Sequence, residues 1–403
     1  MDTDVIILGG GLNGCTLALA LAQVGIHPTI IDALPLDRVQ RNDFDGRSYA
    51  IAAANASMLR VLGLWDDLEQ HAQPMMDIKV TDGRVGDGPS PFFMHFDHGE
   101  IGQGPLGYLI EDRHLRHVLL DHVVRAGIDH RPATTVIDQH DHGTSISATL
   151  MDGTTLQGRV LVGADGRASG TAQRAGLKRV SWGYGQSSLV CALDHDRPHN
   201  GVAHQFFMPA GPLAILPLTG QRSSIVWTET TKNAHRINAL PDADYLNILR
   251  PRVGDFLGDI RLTGDRYTYP LGLILAHDMI RGRVALVGDS AHGVHPIAGQ
   301  GLNAGLKDVA ALAQVLADTK RRGQDIALAL SDYQQWRRFD NATLAMATDG
   351  FNRLFSNDVP LVRAARGLGM GVINTLPRLR RGFMKEAAGL TGTRPRLLQG
   401  RPI

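Results

Sequence analysis

The first 32 residues constrain the fold more than any other part of the chain. Val5-Ile-Ile-Leu8 is a short apolar run of the kind found in buried strands, and Gly9-Gly-Gly11-Leu-Asn-Gly14 follows it directly. Thr16-Leu-Ala-Leu-Ala-Leu-Ala-Gln23 then reads as a helix, and Pro28-Thr-Ile-Ile-Asp32 as a second strand ending in an acid. A strand, a GxGxxG loop, a helix and a strand closed by a carboxylate make the arrangement that holds a dinucleotide. The helix N-terminus takes the pyrophosphate, and Asp32 takes a ribose hydroxyl. Gly9, Gly11, Gly14 and Asp32 are therefore candidate binding residues, and the unit does not say which dinucleotide it binds.

A second glycine-rich stretch lies near the C-terminal third, Gly288-Asp-Ser-Ala-His-Gly-Val-His-Pro-Ile-Ala-Gly-Gln-Gly-Leu-Asn-Ala-Gly305. Arg283-Val-Ala-Leu-Val287 before it reads as a buried parallel strand, and Leu306 to Asp318 after it as a helix. Free backbone N–H groups and a positive dipole end would again stand at the mouth of a sheet. Gly299 and Gly301 would let a flat ring approach the backbone, and Asp289 is placed to accept from a polyol hydroxyl. Taken alone, the stretch also fits an ordinary strand-to-helix connection.

At 403 residues, 43% apolar and 20% charged, the chain has the composition of an enzyme with one large or two smaller domains. A net charge of +1 gives no pull toward nucleic acid, but from residue 360 onward nine Arg or Lys stand against one Glu. Cys15 and Cys191 form neither a disulfide framework nor a metal spacing, which suits a reducing compartment. No basic region precedes the apolar run at Val5, so no signal peptide is expected, and no run of apolar residues is long enough for a transmembrane helix.

Between these landmarks, Gly46-Arg-Ser-Tyr-Ala-Ile51 leads into a helix that runs through Leu62. Arg47 either reaches a phosphate or ring edge, or pairs at the surface with Asp43 or Asp45. Residues 75–104 read as strands outside the first unit, and Glu111 to Leu120 as a helix on which His114 and His117 suit a solvated face better than a metal. Val136 to Leu156 reads as a β-meander, and Arg159-Val-Leu-Val-Gly-Ala-Asp-Gly-Arg-Ala-Ser169 as a strand ending at Gly163 with a further acid, Asp165, beyond it. Residues 181–275 read as an antiparallel sheet laid over the dinucleotide unit. From Tyr333 the chain reads as helical, ending in a tail that mixes Leu361, Val362, Leu368, Met370, Val372 and Ile373 with Arg363, Arg366, Arg378, Arg380 and Arg381. Such a tail fits an anionic membrane surface, another protein, or packing on its own domain. Gly367-Leu-Gly-Met-Gly371 has no strand before it and is not read as a second nucleotide site.

Three of these stretches together, Gly9 to Gly14, Gly163-Ala-Asp-Gly166 and Gly288 through Gly301, resemble the FAD motifs of the single-component flavin aromatic hydroxylases. The wording His295-Pro-Ile-Ala-Gly-Gln-Gly-Leu-Asn303, Asp45-Gly-Arg47, Tyr269-Pro-Leu271 and Thr348-Asp-Gly-Phe-Asn-Arg-Leu-Phe-Ser-Asn357 is similar to the ubiquinone-biosynthesis hydroxylase branch. One departure stands in the middle motif: the family's Arg seven residues after the Asp is Ala172 here, with Arg174 two residues on.

The resemblance implies an α/β fold. A Rossmann-like FAD domain would be built from residues 1–74, 105–180 and 276–345, a substrate-binding β-sheet domain from 75–104 and 181–275, and a helical basic C-terminal region from 346–403. It implies FAD held by Gly9, Gly11, Gly14, Asp32, Arg47, Arg113, Asp165, Asp289, Pro296, Gly299, Gln300, Gly301, Leu302 and Asn303, with Pro296, Gly299 and Gln300 beside the reactive edge. It implies that a flavin C4a-hydroperoxide carries the chemistry, so that no side-chain nucleophile is needed. The reductant is external, either NAD(P)H or an electron-transfer protein. The favoured substrates are a prenylated phenol or quinone precursor and O2. A small soluble phenol or heteroaromatic is the alternative, and a non-catalytic binder of a lipidated partner is a third reading, against which the intact glycine loops and both acids argue. No nucleic-acid partner is expected. The place of work is cytoplasmic, with peripheral membrane contact or a biosynthetic complex through the basic C-terminus left open.

Overall fold

The computed structural model describes residues 1–39, 43–44, 46–85, 88–100, 102, 104–356, 366, 369 and 371–403. Asp45, Asn357, Leu361, Val362, Arg363, Gly367, Leu368 and Met370, all named above, lie outside these residues.

The apolar runs form a six-stranded sheet ordered Ile280–Arg281, Val284–Leu286, Val160–Gly163, Val5–Leu8, Pro28–Ile31 and Asp129–Arg131. All pairs are parallel except at the short Ile280–Arg281 edge. The four inner strands are buried along their whole length, in keeping with their almost wholly uncharged, Val-, Ile- and Leu-rich content. The helix Leu12–Ala22 joins the first two strands and packs against the helices Asp112–Arg125 and Gln300–Arg321. Because these strands run the same way, their C-terminal ends share one edge. The Gly9 N–H donates to Ile31 at 2.8 Å, that of Ala164 to Leu8 at 2.8 Å and that of Val287 to Gly163 at 3.0 Å, so the three glycine-containing stretches emerge side by side.

The second sheet has eight strands, ordered His292–Gly293, Ile260–Ala276, Arg179–His195, Arg222–Thr230, Gly211–Leu218, Val202–Met208, Asp77–Arg84 and Gly88–Asp97. It is antiparallel apart from the pairing of Val202–Met208 with Asp77–Arg84. The strands Asp77–Arg84 and Gly88–Asp97 join the strands between Arg179 and Ala276 in it, and the meander of Val136–Asp141, Ile146–Leu150 and Thr155–Gly158 forms a small sheet of its own. The helices Thr231–Asn238 and Asp242–Val253 were not anticipated. They cover one face of the large sheet, where Leu189, Cys191, Leu193, Trp227, Tyr245 and Leu249 form a buried cluster. The opposite face carries Val190, Ala192 and Tyr267, which look toward Gly46 and Leu109.

His292–Gly293, inside the second glycine-rich stretch, pairs with Ile274 and Leu275, so this stretch leaves the first sheet and enters the second. The helix Leu330–Phe355 runs unbroken across the boundary drawn at 345, so the C-terminal region does not begin there. After the helix Pro377–Ala387 the chain returns to the body: the Ala54 N–H donates to Ala388, the Trp336 indole to Thr393, and Leu397 and Leu398 are buried beside the helix Ala53–Val61. The last residues therefore pack on their own fold, as one of the readings of the tail held. His114 stacks on His71 with ring centroids 3.8 Å apart, and no cluster suited to a metal occurs among the described residues.

Candidate functional site

The glycines of the first loop divide into two kinds. A Cβ on Gly14 would lie 1.9 Å from the Gly9 carbonyl oxygen, and one on Gly9, where φ is +108°, would lie 2.4 Å from that of Ala164. Both are required by the protein's own packing. A Cβ on Gly11 would meet nothing within 4 Å, so the space in front of the helix is open. That helix has no side-chain cap and no acid in its first turn, which leaves its N–H groups and dipole to an anion. Asp32 stands beside it, accepting from the Gly10 N–H at 2.6 Å and the Leu34 N–H at 2.7 Å. Nε2 of His130, close to Asp32, is buried with no partner among the described residues, and burial lowers the pKa of this histidine.

Asn13 ties this loop to the second glycine-rich stretch. Cβ atoms on Gly288 and Gly305 would lie 2.2 and 2.5 Å from its amide, so both glycines make room for it. Gly288 turns with φ +59°, and Asp289 follows half-buried, with no hydrogen bond to a described residue. Burial pushes its carboxyl up, against the opposing charges of His292 and Arg167. Gly299, in a left-handed conformation at φ +62°, opens the helix Gln300–Arg321. This helix too lacks a side-chain cap and an acid in its first turn, and a Cβ on Gly301 would meet nothing within 4 Å. Pro296 is exposed, Gln300 is half-buried, and Leu302 packs against the main core.

Four expected ligand residues are occupied by the protein itself. Asp165 accepts from the Ser169 hydroxyl at 2.5 Å and from the Thr171 N–H and hydroxyl at 2.9 and 2.8 Å, because its loop must start the helix Gly170–Arg174. The Asn303 amide accepts from the Ala52 N–H and the Asn55 side chain and donates to Ala50 and Gly299, so it fastens the loop to the strand Ser48–Ala52. Arg47 pairs with buried Asp112 at 3.0 Å, a partner the sequence reading did not consider, and Arg116 holds the same carboxylate. Arg113 donates to buried Glu111 at 2.7 Å, which Arg222 holds from the other side at 2.9 Å. Arg174 reaches the meander through Gln139 and Val136.

Sequence reasoning missed a buried charge network behind the second loop. Asp308 Oδ1 accepts from Arg337 Nε at 2.8 Å and from the Asn341 amide at 3.1 Å, while Oδ2 accepts from the Gly288 N–H at 3.1 Å and lies 2.5 Å from His292 Nε2. Arg337 goes on to Asp340 at 2.7 Å, and Lys307 meets Asp340 at 2.7 Å. Burial acts to raise the Asp308 carboxyl, but His292 and Arg337 outweigh it and hold it well below the usual carboxylate range. The available signal was an acid set among Leu306, Val309, Ala310 and Ala311, on a helix face that has to be buried. Cys15, by contrast, is a packing residue, fully buried, and burial pushes its thiol up to about 12.

The site therefore offers two uncapped helix N-termini and a carboxylate unpaired among the described residues along one sheet edge, with glycines where a flat, anionic, polyol-bearing cofactor would press on the backbone. A family described as FAD binding domain matches residues 2–346. The chain is 43% identical to the ubiquinone hydroxylase UbiL of Rhodospirillum rubrum, over 99% of this chain and 93% of that protein. It is 31% identical to the 3-demethoxyubiquinol 3-hydroxylase of Escherichia coli, over 96% of this chain and 99% of that protein. Among solved structures, the p-nitrophenol 4-monooxygenase PnpA of Pseudomonas putida shares the fold, with a TM-score of 0.80 at 20% identity over 97% of this chain and 99% of that one.

Proposed function

The chain belongs to the FAD-dependent aromatic hydroxylase family, in its ubiquinone-hydroxylase branch, and from that premise we propose that it hydroxylates the ring of a prenylated phenol or quinol on the way to ubiquinone. The observation that carries the cofactor assignment is the pair of uncapped helix N-termini, at Gly11 and at Gly299, opening on the sheet edge where Asp289 has no hydrogen-bond partner among the described residues. When bound, FAD supplies the reductive activation of O2 and delivers one oxygen atom to the ring.

The chain's own part is binding, orientation and exclusion of water. The helix that begins at Leu12 holds the pyrophosphate, Asp32 takes a ribose hydroxyl with His130 beside it, and Asp289 accepts from the ribityl chain. The N-terminus of the helix Gln300–Arg321 would favour negative charge on a flavin ring held there, with Pro296, Gly299, Gln300 and Gly301 supplying the backbone beside it. Arg47, Arg113, Asp165, Leu302 and Asn303 act one step back, by fixing the loops that make these contacts. The sheet face with Val190, Ala192 and Tyr267 closes over the ring and keeps water out. Residues 1–74, 105–180 and 276–345 then serve the cofactor and 75–104 and 181–275 the substrate, with the helix Leu330–Phe355 shared between the two.

A lipid-tailed substrate is met at a membrane surface, and no helix among the described residues is long and apolar enough to cross one. We assign peripheral contact to the segment from Val372 to Lys385, where Val372, Leu376, Leu379 and Phe383 are exposed next to exposed Arg378, Arg381 and Lys385. Sedimentation with anionic vesicles should bring the protein down, and Arg378→Glu with Arg381→Glu should release it. Equal binding to neutral vesicles would count against the assignment.

The main test is purification followed by flavin extraction and turnover, in detergent, with NAD(P)H or a reduced electron-transfer protein supplied. Prenylated phenols should be hydroxylated and simple hydroxybenzoates left alone. Turnover of only the soluble phenols would overturn the substrate reading, and a chain that takes up no FAD would overturn the cofactor reading.

A further inference from the structure

Arg167 and Arg179 stand together where the chain passes from the cofactor sheet to the large sheet, and neither forms an ion pair with a described residue. With Gln173, Leu177, Ser181 and Ile274 they line a cavity of about 300 Å³ that is open on one side. It lies between the stretch after Asp165 and the start of the strand Arg179–His195, where Ser181 pairs with Ile274. No acid is among its lining residues.

Both arginines are fixed by backbone. Arg167 donates to Gly272 at 2.7 Å, and a Cβ on Gly293 would lie 2.9 Å from its Nη1, so this glycine of the second cofactor stretch makes room for the guanidinium. Arg179 donates to the carbonyls of Arg167 at 3.0 Å and Ser290 at 3.3 Å. Carbonyl contacts hold a guanidinium without cancelling its charge, and here they leave N–H groups of both side chains over. Lys178 and Arg281, which donates to Gly176 at 3.1 Å, are exposed close by and add to the positive field. Two cations set side by side without a counter-ion repel each other, so the arrangement favours an anion between them.

The donor set says which anion. A guanidinium fork matches a carboxylate or a phosphate. Two forks, an amide and a hydroxyl offer more donors than a carboxylate takes up, whereas the terminal oxygens of a phosphate use them. The cavity is at the small end for a ligand site and admits a phosphate with part of its ester. It adjoins the chemistry, because Ser290, which Arg179 holds, follows Asp289 on the cofactor loop. The reaction draws its electrons from an external donor, and FAD takes the one strand, GxGxxG and helix unit in the sequence. A dinucleotide donor therefore has to be held by side chains.

We infer that Arg167 and Arg179, with Gln173 and Ser181, hold a phosphate group of a dinucleotide reductant. The inference rests on the hydroxylase reading and adds where the electron donor docks, making that donor a dinucleotide rather than an electron-transfer protein.

The test is equilibrium dialysis of the FAD-loaded protein with NADP+ and with NAD+, each alone and against inorganic phosphate. At least one should bind, and inorganic phosphate should displace it where chloride at the same ionic strength does not. Binding of both assigns the site to the pyrophosphate and binding of NADP+ alone to the 2′-phosphate; either upholds it. Arg167→Gln should weaken binding at least about tenfold, the worth of one hydrogen bond between charged groups. Ser181→Glu puts a carboxylate into the cavity from an exposed position and should do the same, with flavin content and melting temperature at wild-type values. If Arg167→Gln fails to fold through loss of its Gly272 contact, Ser181→Glu decides alone. Binding that is indifferent to phosphate, or that survives in both variants, overturns the inference, as does a protein that binds neither dinucleotide. Hydroxylation of a prenylated phenol driven by a reduced electron-transfer protein, in a chain that binds no dinucleotide, would refute the docking site and leave the hydroxylase reading standing. A chain that hydroxylates no prenylated phenol with either donor refutes that reading itself.

Discussion

The sharpest stability prediction concerns Arg337→Met. The guanidinium is buried and donates to Asp308 at 2.8 Å, Asp340 at 2.7 Å and Asn341 at 2.8 Å. Its removal strands the Asp308 carboxylate, which is out of water and held otherwise by His292, Asn341 and the Gly288 N–H. Breaking a buried pair from one side costs about 3–5 kcal/mol, several times the worth of a surface pair. An unfolding entropy of about 2 cal/mol/K per residue, over 403 residues, gives about 0.8 kcal/mol per degree, so the melting temperature should fall by about 4–6 °C. Asp308→Asn alone leaves Arg337 charged and poorly paired, and should cost a similar amount. The double variant leaves neither charge, and the amide oxygen still takes the Gly288 N–H. It should therefore be more stable than the sum of the two losses by at least about 1 kcal/mol. Urea unfolding of the four proteins, each saturated with FAD, measures the cycle. A loss under about 1 kcal/mol for Arg337→Met, or simple additivity in the double variant, would refute the claim that this network is a coupled buried unit.

The two kinds of glycine should separate in one experiment. Gly14→Ala should yield little folded protein, because its methyl would lie 1.9 Å from a backbone oxygen, whereas Gly11→Ala should fold normally and lose FAD; equal flavin content in the Gly11 variant and the wild type would contradict the pyrophosphate assignment. Asp289→Ala removes a carboxylate without a hydrogen-bond partner among the described residues and should leave stability intact while weakening FAD binding at least about tenfold, read by flavin fluorescence on dilution. Stability should also fall early on acidification. Burial holds His114, His204 and His295 at about 4, below the unfolded value of about 6.5, so between these pH values the unfolded chain binds more protons and stability drops as pH falls through the window. The depressed Asp308 contributes stability that is lost only below the ordinary carboxylate range, so a urea midpoint unchanged from pH 7 to pH 5 would refute the histidine account.

Much of the scaffold was readable because its signals are local. The strand Val5–Leu8, the loop with its glycines and the helix after it are written in consecutive residues, and the 75–104 and 181–275 strands alternate with turn residues. The helices Thr231–Asn238 and Asp242–Val253 were hidden. Both are short and polar on one side, and the second carries Pro251. Their apolar residues acquire meaning only against the sheet they cover, where Trp227 meets Tyr245.

The site was readable by position and not by role, and the difference is a matter of hydrogen-bond accounting. Asp165, Asn303 and Asp289 looked alike in sequence, as polar residues at glycine-rich loops. In the fold, Asp165 satisfies a helix start and Asn303 fastens a strand, while the Asp289 carboxylate meets no donor among the described residues. No local pattern distinguishes them, because the donors that occupy Asp165 come from its own loop and those that occupy Asn303 come from residues some 250 positions away. Native proteins leave few buried polar groups unpaired, so the residues left over after the fold's own needs are met are the ones to examine for ligands. On that criterion we propose that the cofactor contacts concentrate at Gly11, Asp289 and Gly301. Asp165, Asn303 and Asp308 are then the residues that hold those groups in place, and substitution there should disturb the chemistry through geometry before it touches affinity directly.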